Sequence, residues 1–405
     1  MEVESENADS EIRGGRSQED VLSVLEYAKL QACDLRSRTQ CIVFSNTLDN
    51  ERFKLLELDP SVLDSVMAGD RVVIRGDKDD SAVLCTRDKT YEMKEAETSN
   101  SLLILPHLEH GPDLPTDTPH ELQYREVISV LDKYFELRPC KPRLRKLKAL
   151  LQENQYSGRE CEEDEDHRGR KYTYHELLEK VQASEEEVAA ALKSFKACLI
   201  DGHWRMLDFD FLMQVLNHIL QLCEEHDWLM TGVNMTECCD TLQDLYPRHL
   251  VEHVVQCYTD PRTSQGDNTD TVYVLNEDKI CRFFAELTLR NSGKFHYDEF
   301  LQVWQQCVPA GMHTGLYQIE GMALIDEDSV PPVIWYFTAE DLPEDTAERF
   351  EYLFQTRKKW TREEITPYIK DVATDKVDVG ALLTKYARAS LQNGIKVFSS
   401  RKISA

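Results

Sequence analysis

A change of hydrophobic period divides this chain and constrains it more than any single motif. Up to about residue 105, apolar residues come in short runs bounded by Asn, Asp, Gly or Pro. Beyond about residue 120 they recur at the three-to-four spacing of helices. Between the two lies Gly111 to Pro119, with three prolines in nine residues, which stops both helix and sheet. The expected organisation is therefore an acidic disordered tail over 1–17, a β-rich module over 18–110, a linker over 111–119, and a helical array over 120–405.

In the β-rich part the expected strands are Cys41–Phe44, Arg52–Leu58, Arg71–Ile74, Ala82–Cys85, Thr90–Glu97 and Ser101–Leu105. Helices are expected after Ser17 and from Asp59-Pro60 to Gly69. So many short strands in so short a segment suggest a small barrel or half-barrel. Unpaired strand edges recruit other chains. The module is thus either self-contained or completed by a partner, and its candidate contacts are Phe53, Leu55, Val72, Ile74, Tyr91 and Met93.

In the helical part, Leu122, Val127, Val130, Leu131, Tyr134 and Phe135 predict a helix that ends at Pro139. Lys141 to Leu151 is a second helix with a basic face that includes Arg143, Arg145, Lys146 and Lys148. Short helices from Thr173 and from the Ser184–Glu187 capping box follow, then a hairpin over 198–207 turning at Asp201-Gly202. Helix, short helix, helix and hairpin is the winged-helix order, a variant of the helix-turn-helix. The theme is expected twice more. Tyr297–Leu301 echoes Tyr174–Leu178, and 317–325 echoes the hairpin. Near the end, Trp360–Ile365 and Asp378–Ala387 give helices, and Asn393-Gly394 turns a last hairpin. The fold class is α+β: an N-terminal small β-barrel-like module, then a mostly helical array of three winged-helix domains at 120–208, 209–325 and 326–405.

Charge singles out the last of these. The chain carries 47 Lys and Arg against 74 Asp and Glu, a net of −27. Arg357 to Ala405 alone holds 11 basic and 5 acidic residues, so the remainder stands at −33. A local sign reversal suits a polyanion. Lys385 and Arg388, three apart, share an outward face of the last helix. Lys396 alternates with Ile395 and Val397 and is expected to point away from the core, and Arg401 and Lys402 follow the hairpin. Lys358 and Lys359 open the stretch. Such an arrangement fits duplex phosphates, with three to five contacts and a log–log salt slope of about −3 to −4.5. The face at 143–148 would extend the path.

Enzyme chemistry finds no foothold. No phosphate loop, dinucleotide fingerprint, nucleophile elbow or HExxH is present, and Glu179 stands where a second zinc histidine would follow His175-Glu176. Asp208 and Asp210 are expected to cap a helix. The acidic loop at 160–166 lacks calcium-loop spacing. No cofactor or metal is expected, the five tryptophans are expected in cores, and the 12 cysteines are expected as reduced, mostly buried side chains. No apolar run is long enough for a bilayer, so no membrane association is expected, and the chain is expected in cytosol or nucleus.

The distinctive segments Trp360–Ile365, Pro367–Ile369, Gly380–Tyr386 and Ser390–Lys402, supported by Asp201–Trp204 and Phe53–Leu58, resemble the Dcc family of sister chromatid cohesion proteins. The likeness covers nearly the whole chain beyond its first 17 residues. The resemblance implies a non-catalytic nuclear subunit of the alternative replication factor C of chromosome transmission fidelity. It implies that the β part co-folds with a small companion subunit and the C-terminus of the large ATPase subunit. That assembly would dock on the catalytic subunit of DNA polymerase epsilon and act on the sliding clamp indirectly. It implies C-terminal winged helices that bind single- and double-stranded DNA, with Lys385, Arg388 and Arg401 leading. A protein-only scaffold is the alternative.

Overall fold

The computed structural model describes residues 18–31, 38–110, 121–163, 169–263, 271–374, 377–392 and 394–401. The expected tail, the linker, Lys402 and Asn393 lie outside them. The chain forms two compact units, residues 1–59 with 94–137, and residues 60–93 with 138–405. The long strand Thr90–Ile104 begins in the second and ends in the first.

In the first unit, helix Gln18–Tyr27 precedes strand Arg38–Phe44. That strand pairs in parallel with Glu121–Val127, from Arg38↔Glu121 to Phe44↔Val127. Leu56–Glu57 pairs in parallel with Phe135 and Glu136 of strand Ser129–Cys140. The helix expected over 122–135 is therefore two strands. Val127, Ser129 and Leu131 are 0%, 0% and 8% exposed, a two-residue period that the apolar residues alone concealed because Ser129 belongs to the buried face. Asn50 Oδ1 accepts from the Val130 amide at 2.9 Å and from Ser129 Oγ at 3.3 Å, which satisfies that buried hydroxyl. Arg52 to Leu58 contributes only the two paired residues Leu56 and Glu57.

The strands among the described residues do not close into a barrel. The parallel ribbon of Arg38–Phe44 and Glu121–Val127 is a sheet of two strands, and Ile42, Phe44, Leu122 and Tyr124 are exposed on it.

The second unit holds Pro60–Ala68, a helix ended by Gly69 at φ +80, and the strands Val73–Arg75 and Val83–Cys85, the latter paired with Thr90–Glu92. This piece is tied to later helices by polar contacts. Thr90 Oγ1 donates to Glu187 at 2.6 Å, and Gln182 Nε2 donates to Ser81 O at 2.6 Å.

From residue 145 one order of elements recurs three times. Helix Arg145–Gln152 leads to Tyr172, which bridges to Trp204. Helices Tyr174–Lys180 and Glu185–Ser194 and the hairpin Cys198–Ile200/His203–Arg205 follow. Both short helices begin with complete capping boxes, Thr173 with Glu176 and Ser184 with Glu187. Asp201 and Gly202 sit at φ +49 and +79, the left-handed pair of a type I′ turn. Helices Phe209–Glu225, Met235–Leu242 and Arg248–Tyr258 intervene, the first capped by Asp208 as expected. The order returns as helix Glu277–Arg290, strand Lys294–His296, helix Tyr297–Cys307, the 3₁₀ turn Leu316–Ile319 and strands Ala323–Asp326 and Val333–Tyr336. The hairpin expected over 317–325 thus lies at 323–336, because the 3₁₀ turn occupies the place of the expected first strand. The last copy is helix Thr346–Thr356, strand Lys359–Trp360, helices Arg362–Ile369 and Val379–Tyr386, and the hairpin Ala387–Gln392/Ile395–Ser400. In the second and third copies the final strand lies between the other two. Trp304 and Trp360 are fully buried, and their indole N–H groups donate to Cys281 O at 2.7 Å and Arg357 O at 2.8 Å.

Candidate nucleic-acid interface

The last copy builds its surface from a small core. Asp378 caps helix Val379–Tyr386 by accepting from the Ala381 amide at 2.7 Å. Leu382 and Leu383 are buried, and Tyr386 stacks on Phe350 with centroids 5.2 Å apart. This fixes the end of the helix and turns its basic residue outward. Lys385 is exposed, its ammonium 5.0 Å from the Tyr386 ring centroid.

Arg401 has two tasks. Its Nη2 donates to Thr384 O at 2.6 Å and its Nε to Ala387 O at 3.2 Å. These carbonyls end the helix that carries Lys385, where a cation suits the helix dipole. Arg401 therefore ties the strand end to the helix end, while the residue as a whole remains exposed.

Lys358, Lys385 and Arg401 line one concavity of about 580 Å³, floored by Phe350, Phe354 and Tyr386. Nothing local to Lys358 joins it to the other two; helix Thr346–Thr356 does so, and the spacing of Phe350, Leu353 and Phe354 is its signal. Across the sheet, Lys359 and Arg388 both lie opposite Ser399, in one row of three strands. Arg388 is exposed, and Lys359 Nζ donates to Gln392 Oε1 at 3.0 Å. Lys396 is exposed, but on the face that carries Phe398, with its ammonium 5.6 Å from that ring; the buried Val397 lies on the other face. The expectation that Lys396 turns its back on the core is corrected accordingly: it clears the core by its distance along the strand.

The earlier basic helix is arranged differently. Lys146 forms an ion pair with Asp77. Lys148 pairs with Glu340 at 2.8 Å and Asp341 at 3.5 Å, and only 15% of its side chain is exposed. Arg143 Nη1 donates to Gln182 Oε1 at 2.7 Å. Arg145 has an exposed side chain, and its amide donates to Glu344 at 2.6 Å. Residues 164–166 of the acidic loop lie outside the described residues, and in the rest Glu162 is likewise engaged. Buried Arg205 donates to Glu162 at 2.8 Å, and Lys171 does so at 2.7 Å. Burial alone would raise the Glu162 carboxyl, but these two cations hold it down to about 2. Among the described residues no cluster of His, Cys, Asp and Glu could hold a metal ion.

Of the candidate assembly residues, Ile74 is exposed, while Phe53, Leu55, Val72 and Met93 are half-buried. Tyr91 is 3% exposed, in its own core, with its hydroxyl 3.3 Å from Ser61 Oγ.

The repeated order of elements, closed by a basic unit, defines a modular α+β protein. Comparison with known proteins narrows this. The family model described as "Sister chromatid cohesion protein Dcc1" matches residues 53–369. The sister chromatid cohesion protein DCC1 of Mus musculus is 45% identical over 96% of this chain and 98% of its own length. That of Xenopus laevis is 46% identical over 96% and 99%, and that of Saccharomyces cerevisiae 24% identical over 86% and 96%. The chain belongs to the Dcc1 family of sister chromatid cohesion proteins.

Proposed function

We propose that this protein is a non-catalytic nuclear subunit of the alternative replication factor C that loads and unloads the sliding clamp and supports sister chromatid cohesion. In this reading the three repeats are winged-helix units, and the last binds single- and double-stranded DNA through phosphate contacts. Lys385 and Arg388 lead, with Arg401, Lys396, Lys358 and Lys359 around them; Lys402 would continue the set. The observation that carries the DNA reading is the group of exposed cations on one helix end and its hairpin, in a chain whose remainder stands at −33. Arg145 is the most available contributor from the earlier helix.

The N-terminal strands serve assembly. The two-stranded parallel ribbon presents Ile42, Phe44, Leu122 and Tyr124 to solvent at 51–65% exposure. An apolar ribbon of this kind is completed by strands from another chain. The large ATPase subunit and the small companion subunit supply them, and the assembly links to the catalytic subunit of DNA polymerase epsilon.

The double variant Lys385→Glu/Arg388→Glu tests the DNA arm by fluorescence anisotropy with duplex and single-stranded oligonucleotides. Affinity is expected to fall at least tenfold with thermal stability unchanged. Unaltered affinity would favour the second reading, a scaffold that contacts only proteins, which the acidic remainder and the internally paired Lys146 and Lys148 support. Co-purification of the full chain with the companion and ATPase subunits, compared with Phe44→Asp/Tyr124→Asp, tests the assembly arm.

A further inference from the structure

A larger concavity lies within the second unit. It has a volume of about 810 Å³, and it is walled by helix Glu185–Ser194, the hairpin after it, and helices Arg248–Tyr258 and Glu277–Arg290. Lys196 is part of its lining. This residue follows the helix in the left-handed conformation, φ +53, where glycine is the usual occupant. Its Nζ donates to Tyr258 Oη at 2.9 Å and lies 4.2 Å from the Tyr258 ring centroid. Its carbonyl accepts from His253 Nε2 at 2.9 Å, so that nitrogen carries the imidazole proton. Burial holds both the Lys196 ammonium and the His253 imidazole below their usual ranges.

The charges around the cavity do not cancel. Lys279 is paired with Asp260 at 2.9 Å. Glu252 is paired with Arg248 at 2.9 Å, and Glu340 with Lys148 at 2.8 Å. Arg282 donates only to the carbonyls of Gln318 and Glu320, at 2.8 and 3.1 Å, which leaves its charge in place. What remains is Lys193, Lys196 and Arg282 facing Glu286, which accepts from Tyr336 at 3.3 Å. On a chain of net −27 this is an unusual cationic hollow. Its rim is apolar: Leu199 is 52% exposed, beside the half-buried Trp204.

We propose that this cleft docks an extended peptide segment of a partner protein. The segment places one carboxylate on Lys196 and an apolar side chain against Leu199 and Trp204. The volume is within the range of built ligand pockets. The apolar rim at Leu199 and Trp204 suits a peptide side chain, which a bare phosphate lacks. Glu286 and Glu340 act on the Lys196 ammonium, but among the described residues it forms no ion pair; the carboxylate supplies one, and Tyr258 keeps the ammonium oriented. The site is separate from the basic end.

The test uses the full chain labelled with 5-fluorotryptophan, which gives one ¹⁹F signal for each of the five tryptophans; Trp204→Phe assigns the relevant one. The probes are the acetylated, amidated tripeptides Leu-Glu-Leu and Leu-Gln-Leu. The glutamate peptide is expected to shift the Trp204 signal saturably and to bind at least fivefold tighter than the glutamine peptide. Lys196→Met is expected to erase that preference while the Trp304 and Trp360 signals stay in place. Equal binding of the two peptides, an unmoved Trp204 signal, or a preference that survives Lys196→Met overturns the proposal. So does a duplex oligonucleotide that shifts the Trp204 signal and displaces the peptide. If Lys196→Met loses the native signals, Leu199→Asp on the exposed rim replaces it. That variant is expected to weaken the glutamate peptide more than the glutamine peptide, and an unchanged ratio overturns the proposal.

Discussion

Two basic segments of similar sequence character meet different fates in this molecule. In and just before the helix Arg145–Gln152, Arg143, Lys146 and Lys148 turn upon acids and amides of their own unit, Gln182, Asp77, Glu340 and Asp341, and only Arg145 keeps an exposed side chain among these four. At the end of the chain, Lys385, Arg388 and Lys396 face solvent, two of them resting on aromatic rings, while Arg401 divides its donors between helix carbonyls and solvent. The lesson is physical. A run of lysines and arginines declares its charge but not its counter-charges, which arrive from distant parts of the chain.

Breaking the terminal core gives the largest expected effect. Trp360 is fully buried, so Trp360→Ala is expected to cost about 3–5 kcal/mol and to abolish DNA binding by unfolding the platform, seen as a lost calorimetric transition. Arg205→Ala strikes the inward-turned charges next. It removes a buried partner of Glu162 and is expected to cost about 3 kcal/mol in denaturant unfolding, with little change in DNA affinity. The pH dependence follows from the same carboxyl. Its pKa is lower folded, about 2, than its ordinary 4.5. Its stabilisation is therefore complete above about pH 4.5 and is lost as pH falls toward 2, a loss that acid titration of Glu162→Gln should lack.

Lys148→Glu sets a carboxylate against Glu340 and Asp341. It is expected to lower the thermal midpoint by a few degrees, from roughly 1 kcal/mol, and to alter DNA affinity less than twofold. Lys385→Glu should do the reverse. A large DNA defect for Lys148→Glu would erase the distinction between the two segments. Arg401→Ala gives the smallest stability effect, about 0.3–1 kcal/mol for the lost helix-end contacts, together with a modest DNA defect.

The legible parts of the fold were those determined locally. Capping boxes at Thr173, Ser184 and Thr361 and the Asp201-Gly202 turn place their elements within a residue or two. The strands at 121–140 were not legible, since their apolar residues also satisfy helical spacing and the deciding contacts come from Arg38–Phe44 and Asn50. Lys385 and Arg388 were readable as exposed because Leu382 and Leu383 mark the buried positions beside them, whereas the alternation that pointed Lys396 away from the core misjudged its face, since Ile395 is exposed and Phe398 buried. The engagement of Lys146 and Lys148 was not readable, because their partners lie 69 and 192 residues away. The helix-end role of Arg401 depends likewise on a register that only the folded hairpin sets.

The salt dependence of duplex binding tests the central claim most directly. For the unaltered protein, log K against log salt should fall with a slope of about −3 to −4.5, and for Lys385→Glu/Arg388→Glu the slope should flatten by about two. An unchanged slope in the double variant, or equal flattening by Lys146→Glu/Lys148→Glu, would contradict a DNA surface at the end of the chain.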